Sequence, residues 1–500
     1  MLRRVWLGLC VMVVISLSLA YPSAPASADD KVPRYEKAKC KFEVPKGYTV
    51  QCGYLVVPED RSNPQSKTIR LHVAVFKAAN KKPAPDAVIY LEGGPGGHSL
   101  ETAKFSFPAV FAPFAKTRDF VMFDQRGVGY SEPSLDCPEE TKAAYDGLTQ
   151  RMSFKEREAL IDKATIACHD RLIAQGINLS SYNSAENAAD VNDLRLALGY
   201  KAWDLYGISY GTRLALTIMR DFPNGIRSVI LDSTVPLQVD FYSLIPSNAN
   251  RAFQIFFEAC LRNRPCNAAY PNLNKVFYDT VDKLNKKPAS ITVKQPYTGK
   301  NFKLSIDGYL LIRMLFNSLY SADVIVFLPK VIYDASANKY ALLEKLMAGS
   351  LVKKEYDSTG MYFSVQCAEE IAFDTQETLD NAGTAYPKLS DVFDMGDYYR
   401  TCQQWNVKAA LPVENKAVVS DAYTLVLAGA YDPITPPRYG QLAAQSLKNS
   451  FYIEFPGVGH GASVGHWCPY QVALAFLGNP KTRPEIGCIS AMIEPQFVTR

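Results

Sequence analysis

The segment WDLYGISYGTRLAL, residues 203–216, constrains this chain more than any other. An apolar run ends near Tyr206 and a helix-like stretch opens near Thr212. Between them stands Ser209, with Gly207 two places before it and Gly211 two places after it. A serine squeezed between a strand and a helix sits on a very tight turn, which lifts its hydroxyl clear of the sheet edge. Such a turn presses the flanking positions against neighbouring backbone, where a glycine leaves room and a Cβ does not. G-x-S-x-G recurs by chance in many chains. The strand before it and the helix after it are what give it weight here.

The rest of the sequence supplies a sheet for that turn. TIRLHVAVF (68–76) alternates, with Ile69, Leu71, Val73 and Val75 on one face, as in a half-buried strand. AVIYL (87–91), DFVMF (119–123), AWDLY (202–206), SVILD (228–232), TLVLAG (424–429) and FYIEF (451–455) are short continuous apolar runs. Runs of that kind suit strands buried on both faces of a parallel sheet. Helical patterns separate several of them. SAENAADVNDLRLALG (184–199) offers Ser184 as N-cap and Gly199 as a C-terminal stop. Strands alternating with helices predict an α/β fold with a mostly parallel sheet. Between about 240 and 415 the rhythm breaks into aromatic-rich, helix-like sequence without clear strands, and it resumes at Thr424. The expected organisation is a core in two parts, residues 29–239 and 416–500, with a helical insertion over 240–415 forming a cap.

Residues 1–28 read as an export signal. Arg3 and Arg4 precede the apolar run VWLGLCVMVVISLSLA, and small residues lead to Ala28. The competing reading, a membrane anchor, needs about 20 apolar residues, and this run is short for a full span. The chain is therefore expected to be secreted, periplasmic or held in the cell envelope, without stable membrane insertion after signal removal. Cysteine usage agrees. Of 11 Cys, one (Cys10) leaves with the signal, and the remaining ten fall into sequence-adjacent couples. These are Cys40 with Cys52, Cys137 with Cys168, Cys260 with Cys266, Cys367 with Cys402, and Cys468 with Cys488. Proximity predicts five local disulfides in an oxidising compartment. No C-x-x-C occurs and no His sits at finger spacing, so neither a metal nor a cofactor is implied. A net charge of only +4 over 500 residues gives no footprint for nucleic acid.

A serine nucleophile needs a base, and the base needs an orienting acid. On this kind of turn the chain order is nucleophile, acid, histidine. Of five histidines, His72, His98 and His169 precede Ser209 and fall outside that order. His460 lies in FPGVGHGAS, a glycine-rich loop just after the strand FYIEF. His466, beside Trp467 and Cys468, reads better as structural, so His460 is the expected base. The acid should follow a strand ahead of His460, and TLVLAGAYDPITPP supplies Asp432. Pro433, Pro436 and Pro437 stiffen its loop, and Thr435 is placed to donate a hydrogen bond to Asp432. A tetrahedral intermediate also needs preorganised N–H donors. One is the backbone N–H of Tyr210, next to the nucleophile. The other is expected from YLEGGPGG (90–97), where Gly94 is the first choice and Gly93 the alternative. A phosphate-cradling role for that loop fails: it lacks the G-x-G-x-x-G spacing and a following Lys-Ser/Thr.

GGPGG, FDQRGVGYSEP (123–133), YGISYGTRLAL and GAYDPITP together resemble the α/β-hydrolase peptidases of the prolyl and tripeptidyl aminopeptidase family. The resemblance runs from about Cys40 to Cys488 and is strongest to exported tripeptidyl-aminopeptidase-like members. One departure is that many relatives have His before the Gly-Gly-Pro-Gly loop, where this chain has Glu92. The resemblance implies an α/β-hydrolase fold with a helical cap, and a serine aminopeptidase releasing one to three residues from peptides with a free N-terminus. It also implies carboxylates in the cap for the substrate's ammonium. In FSVQCAEE (363–370) Glu369 is the expected anchor and Glu370 the next. Two other functions compete. An esterase or lipase would use the same machinery on small esters, and a binding protein of this fold would have no need of an intact Ser209, Asp432 and His460.

Overall fold

Among the described residues eleven strands carry the fold, and nine of them form one sheet. The computed structural model describes residues 32–295, 299–349 and 357–499; the expected export signal over 1–28 lies outside the described residues. The strands are β1 (Arg34–Ala38), β2 (Val50–Pro58), β3 (Thr68–Phe76), β4 (Ala87–Leu91), β5 (Asp119–Phe123), β6 (Trp203–Ile208), β7 (Ile226–Asp232), β8 (Ala289–Lys294), β9 (Asn301–Ile306), β10 (Tyr423–Gly429) and β11 (Ser450–Phe455). The main sheet has the order β1-β2-β3-β5-β4-β6-β7-β10-β11. Its first strands pair antiparallel, from β1 through β3 to β5, and every pairing from β5 onward is parallel.

The apolar runs are continuous because both faces of the sheet are covered. In β4, Ala87, Ile89 and Leu91 join one core cluster while Val88 and Tyr90 join another. The same alternation splits Leu205 from Tyr206 in β6 and Val426 from Leu425 in β10. Helices Ser184–Leu198 and Tyr210–Asp221 pack on the first face through Ala188, Leu194 and Leu214. Helix Trp467–Gly478 covers the second through Val472 and Phe476.

Helix Ser184–Leu198 ends as its sequence predicts, with Gly199 at φ +78. Its start differs. Asn183 is the N-cap, accepting from the N–H of Glu186 at 2.9 Å, and Ser184 is the first helical residue. Ser184 is instead consumed by a long-range bond to Glu369, described below. The stretch from 240 to 415 is mostly helical and contains Ile245–Arg262, Leu273–Lys286, Gly308–Ser318, Thr359–Glu369 and Met395–Trp405. It also contains strands where none was expected: β8 and β9 pair antiparallel as a separate two-stranded sheet. Their signal is only a few residues long, with Ile291 opposite Leu304, Val293 opposite Phe302 and Ala289 opposite Ile306, and polar side chains between.

All ten cysteines after Cys10 are bonded, in the couples given by their proximity in sequence. Cys260–Cys266 and Cys367–Cys402 tie helices of the 240–415 region to one another. Removing a native disulfide from a small secreted domain costs about 2–5 kcal/mol. The protein is expected to unfold at lower temperature in reductant. Peptide mapping without reductant should return five linked pairs and no free thiol among the ten; several free thiols would contradict the pairing.

Candidate active site

The C-terminal ends of adjacent parallel strands bring the chemistry together, as open α/β sheets generally do. β4 delivers the loop Gly93–Gly97, β6 delivers Ser209, β10 delivers Asp432 and β11 delivers His460. Ser209, Tyr210, Gly93, Gly94 and His460 line one cavity of about 1020 Å³ beneath helices of the 240–415 region.

Ser209 has φ +58 and ψ −126, a left-handed conformation that costs a non-glycine residue roughly 1–3 kcal/mol. The two glycines make the turn possible. A Cβ on Gly207 would lie 2.3 Å from the Gly211 carbonyl oxygen, and one on Gly211 would lie 1.9 Å from that of Leu91. Hydrogen bonds fix the turn on both sides. The Ser209 N–H donates to the Asp232 carbonyl at 3.0 Å, and the Ser209 carbonyl accepts from the Thr212 N–H at 2.9 Å and its hydroxyl at 2.6 Å.

Asp432 is fully buried, and its Oδ2 lies 2.8 Å from His460 Nδ1. Its other contacts come from its own loop. Oδ1 accepts from the N–H groups of Ile434 (3.0 Å) and Thr435 (2.8 Å), and the Thr435 hydroxyl donates to Oδ2 at 2.7 Å. Burial opposes charge on both partners, yet each favours the other's charged form. The Asp432 carboxyl is held below its ordinary range by His460 and Thr435, and the His460 imidazole is raised above its ordinary value by Asp432, with Asp232 adding. With Nδ1 facing Asp432, Nε2 is the ring atom left for Ser209.

Both expected oxyanion donors lie at this cavity. Tyr210 opens its helix, so its N–H belongs to the first turn, whose donors have no partner within the helix. Gly94 is exposed with φ +113. The alternative, Gly93, has its N–H engaged by Glu92 Oε1 at 2.8 Å, and Glu92 also accepts from the Tyr90 hydroxyl at 3.2 Å. Glu92 thus fastens the loop from below, and of the two glycines Gly94 keeps the unengaged donor.

The two cap carboxylates separate. Glu369 is 1 % exposed and does not line the cavity. Its carboxylate accepts from the Ser184 N–H (2.5 Å) and hydroxyl (2.7 Å) and from Arg213 Nε (3.1 Å). Glu370 does line the cavity. Arg213 Nη1 lies 2.5 Å from Glu370 Oε1 but out of line for a hydrogen bond. Burial pushes the Glu370 carboxyl up to about 7, Arg213 works against it, and Glu369 adds to it.

The other histidines have separate surroundings. His72 accepts from the Lys41 N–H at 3.3 Å, and His98 lies within 3.2 Å of Asp136 and 3.1 Å of Ser358. His169 packs at a tilt against Trp405, and His466 stands at the N-cap of helix Trp467–Gly478, makes no capping side-chain bond and does not line the cavity. Among the described residues no cluster of metal-ligating side chains occurs, and no helix is long and apolar enough to cross a membrane.

Two residues that sequence reasoning missed hold the histidine. Asp232, fully buried at the end of β7, accepts from the N–H groups of Ala462 and Ser463 at 2.7 Å each and from the Ser463 hydroxyl. Its own carbonyl holds Ser209, so one residue fastens the Ser209 turn and the His460 loop. Its only sequence signal was an acid ending an apolar strand. From the cap side, the Tyr320 carbonyl accepts from the His460 N–H at 3.0 Å, and its ring meets the imidazole edge-on at 5.1 Å. A Cβ on Gly459 would lie 2.4 Å from that carbonyl oxygen, which explains the glycine before the histidine.

Similar proteins fit this geometry. A tripeptidyl aminopeptidase of Streptomyces coelicolor is 26% identical over 416 residues, covering 80% of this chain and 75% of that one. The serine protease Hip1 of Mycobacterium tuberculosis is 24% identical over 455 residues, covering 87% and 86%. A carboxylesterase B of the same species is 23% identical over 446 residues, covering 83% and 81%. The family model described as alpha/beta hydrolase fold matches residues 86–466. That span takes in the Gly93–Gly97 loop, the Ser209 turn and the Asp432 and His460 loops, and the chain belongs to this family.

Proposed function

We propose that the protein is an exported serine aminopeptidase that releases a short N-terminal unit, one to three residues long, from peptides through an acyl-enzyme. The observation that carries this reading is the charge of the cavity at Ser209. Nine carboxylates line it against three lysines or arginines. A substrate bearing a free ammonium complements such a site, because a buried charge must be paired. The Streptomyces and Mycobacterium relatives named for peptide cleavage support it. Ten bonded cysteines support an oxidising compartment, and with the sequence of residues 1–28 they support export.

In this reading His460 Nε2 takes the Ser209 proton as Oγ attacks the scissile carbonyl, and Asp432 stabilises the imidazolium. The N–H groups of Tyr210 and Gly94 receive the oxyanion. Collapse expels the amine of the downstream peptide, which takes its proton from His460, and water then releases the acyl unit by the reverse sequence. Glu370 anchors the ammonium in place of Glu369. Arg213 serves two carboxylates with one positive charge, and the balance faces the cavity through Glu370.

The alternative is an esterase or lipase type of hydrolase, favoured by the carboxylesterase relative. A fluorogenic panel of mono-, di- and tripeptides, with the amine free or acetylated, beside a small ester, separates the two. Rapid cleavage of acetylated peptides, or turnover of the ester alone, would overturn the aminopeptidase reading.

Ser209→Ala is expected to lower kcat/KM by at least about 10⁴-fold with the fold intact, and Asp432→Asn by about 10⁴-fold. The base must be neutral to accept a proton, so activity falls as pH drops through the His460 pKa. Because that pKa is raised, the acid limb of the kcat/KM profile should lie above the ordinary histidine value of about 6.5. An acid limb well below that value would contradict the pairing with Asp432. Glu370→Gln should reduce kcat/KM on free-amine peptides about 10- to 100-fold while sparing a small neutral ester. Equal losses on both substrates would place Glu370 in the fold instead of at the ammonium.

A further inference from the structure

The cavity does not end at Glu370. Helix Thr359–Glu369 presents Gln366 to it one turn earlier, and helix Met395–Trp405 presents Thr401. Both are more than nine-tenths buried, at 9 % and 6 % exposed. Neither side chain has a hydrogen-bond partner among the described residues, and neither polar group is shut away from the cavity, so both are open to a ligand there. Their placement is not loose. Each directly precedes a cysteine of the Cys367–Cys402 bridge, whose Cα atoms are 5.1 Å apart, and the Trp405 indole donates to Ser364 across the same two helices at 3.1 Å.

A third group lies on helix Phe154–Ala174. His169 packs against Trp405, the rings tilted with centroids 5.2 Å apart. Asp162 and Asp397, about two turns earlier on their helices, feel each other's charge. The two helices therefore run side by side in one direction, and Thr401 falls between these contacts, four residues from each of Asp397 and Trp405 and on the same face. Asp162 lines the cavity and makes no ion pair among the described residues. Its neighbouring cations are engaged elsewhere: Arg313 with Glu158 at 2.8 Å, and Arg400 with Asp397 and Asp380. Burial, with Asp397 and Glu158 adding, raises its carboxyl to about 6, as an acid short of a positive partner should be.

We propose that Gln366, Thr401 and Asp162 form a side-chain subsite that takes a basic side chain, an ammonium or guanidinium, from the unit being released. The amide oxygen and the hydroxyl accept from the cation, and the carboxylate neutralises it. This subsite is distinct from the ammonium anchor at Glu370, and it rests on the aminopeptidase reading only for which bond is cut.

The test compares matched substrates carrying lysine or norleucine, which have equal reach but differ in charge, at each position of the released unit. The wild-type enzyme should prefer lysine at one position by about tenfold or more in kcat/KM. Asp162→Asn should bring that preference close to one while leaving the norleucine rate within about twofold, and Gln366→Leu should narrow it. The norleucine rate reports whether each variant still folds and reacts. A parallel pair, the lysine and norleucine esters, keeps the subsite testable if no peptide is cut. In that case the aminopeptidase reading fails, and the subsite stands or falls on the ester preference. No lysine preference at any position in either series overturns the proposal, as does a lysine preference that Asp162→Asn leaves unchanged.

Discussion

A left-handed serine is a poor conformation to fold around, and much of this molecule can be understood as what holds Ser209 there. The strain of roughly 1–3 kcal/mol persists only where the surroundings over-determine the backbone. Here they do so through close contact and hydrogen bonds together. Gly207 and Gly211 remove the side chains that would collide with Gly211 and Leu91 backbone, and Asp232 and Thr212 fix the two peptide groups of Ser209. The parallel order β4-β6-β7-β10 places the Gly93–Gly97 loop on one side of the turn and the Asp432 loop on the other.

Asp232 makes the turn and the histidine one mechanical unit. Its carbonyl holds the Ser209 N–H and its carboxylate holds the chain two and three residues beyond His460. The same fully buried carboxylate lies close enough to favour the imidazolium, second to Asp432. Position and charge are thus supplied by one side chain. Relative placement of nucleophile and base matters because misplacement of about 1 Å can cost on the order of a hundredfold in rate.

The sequence was most readable where local pattern and tertiary role coincide. Apolar runs such as AVIYL and DFVMF are strands because both sheet faces are covered, and β3, β4 and β5 begin and end where their runs do. Ser209, Asp432 and His460 could be picked out because each follows a strand in the required order. The losses have equally physical causes. β8 and β9 are six residues each, too short for alternation to stand out. Ser184 has the right residue type for a cap, but its hydroxyl is taken by Glu369, 185 residues away, and Asn183 caps instead. Glu369 and Glu370 are adjacent, and neighbours on a helix point about 100° apart; only packing decides which lines the cavity and which is spent on Ser184. Asp232 and Tyr320 act on the histidine loop from 230 and 140 positions away, where no local signal reaches.

Tyr320 carries a consequence for how the cap and the sheet work together. It follows the helix Gly308–Ser318, yet its carbonyl takes the N–H of His460 and its ring lies against the imidazole. The Gly459 backbone approaches so closely that a methyl group there could not be accommodated without displacing this segment. The cap therefore cannot move as a whole away from the sheet without releasing His460. The helices bearing Gln366, Glu370 and Thr401 are tied by Cys367–Cys402, so that wall of the cavity is braced as well. A cavity held on both sides in this way is preformed, and ordering costs that would otherwise fall on binding are met when the protein folds.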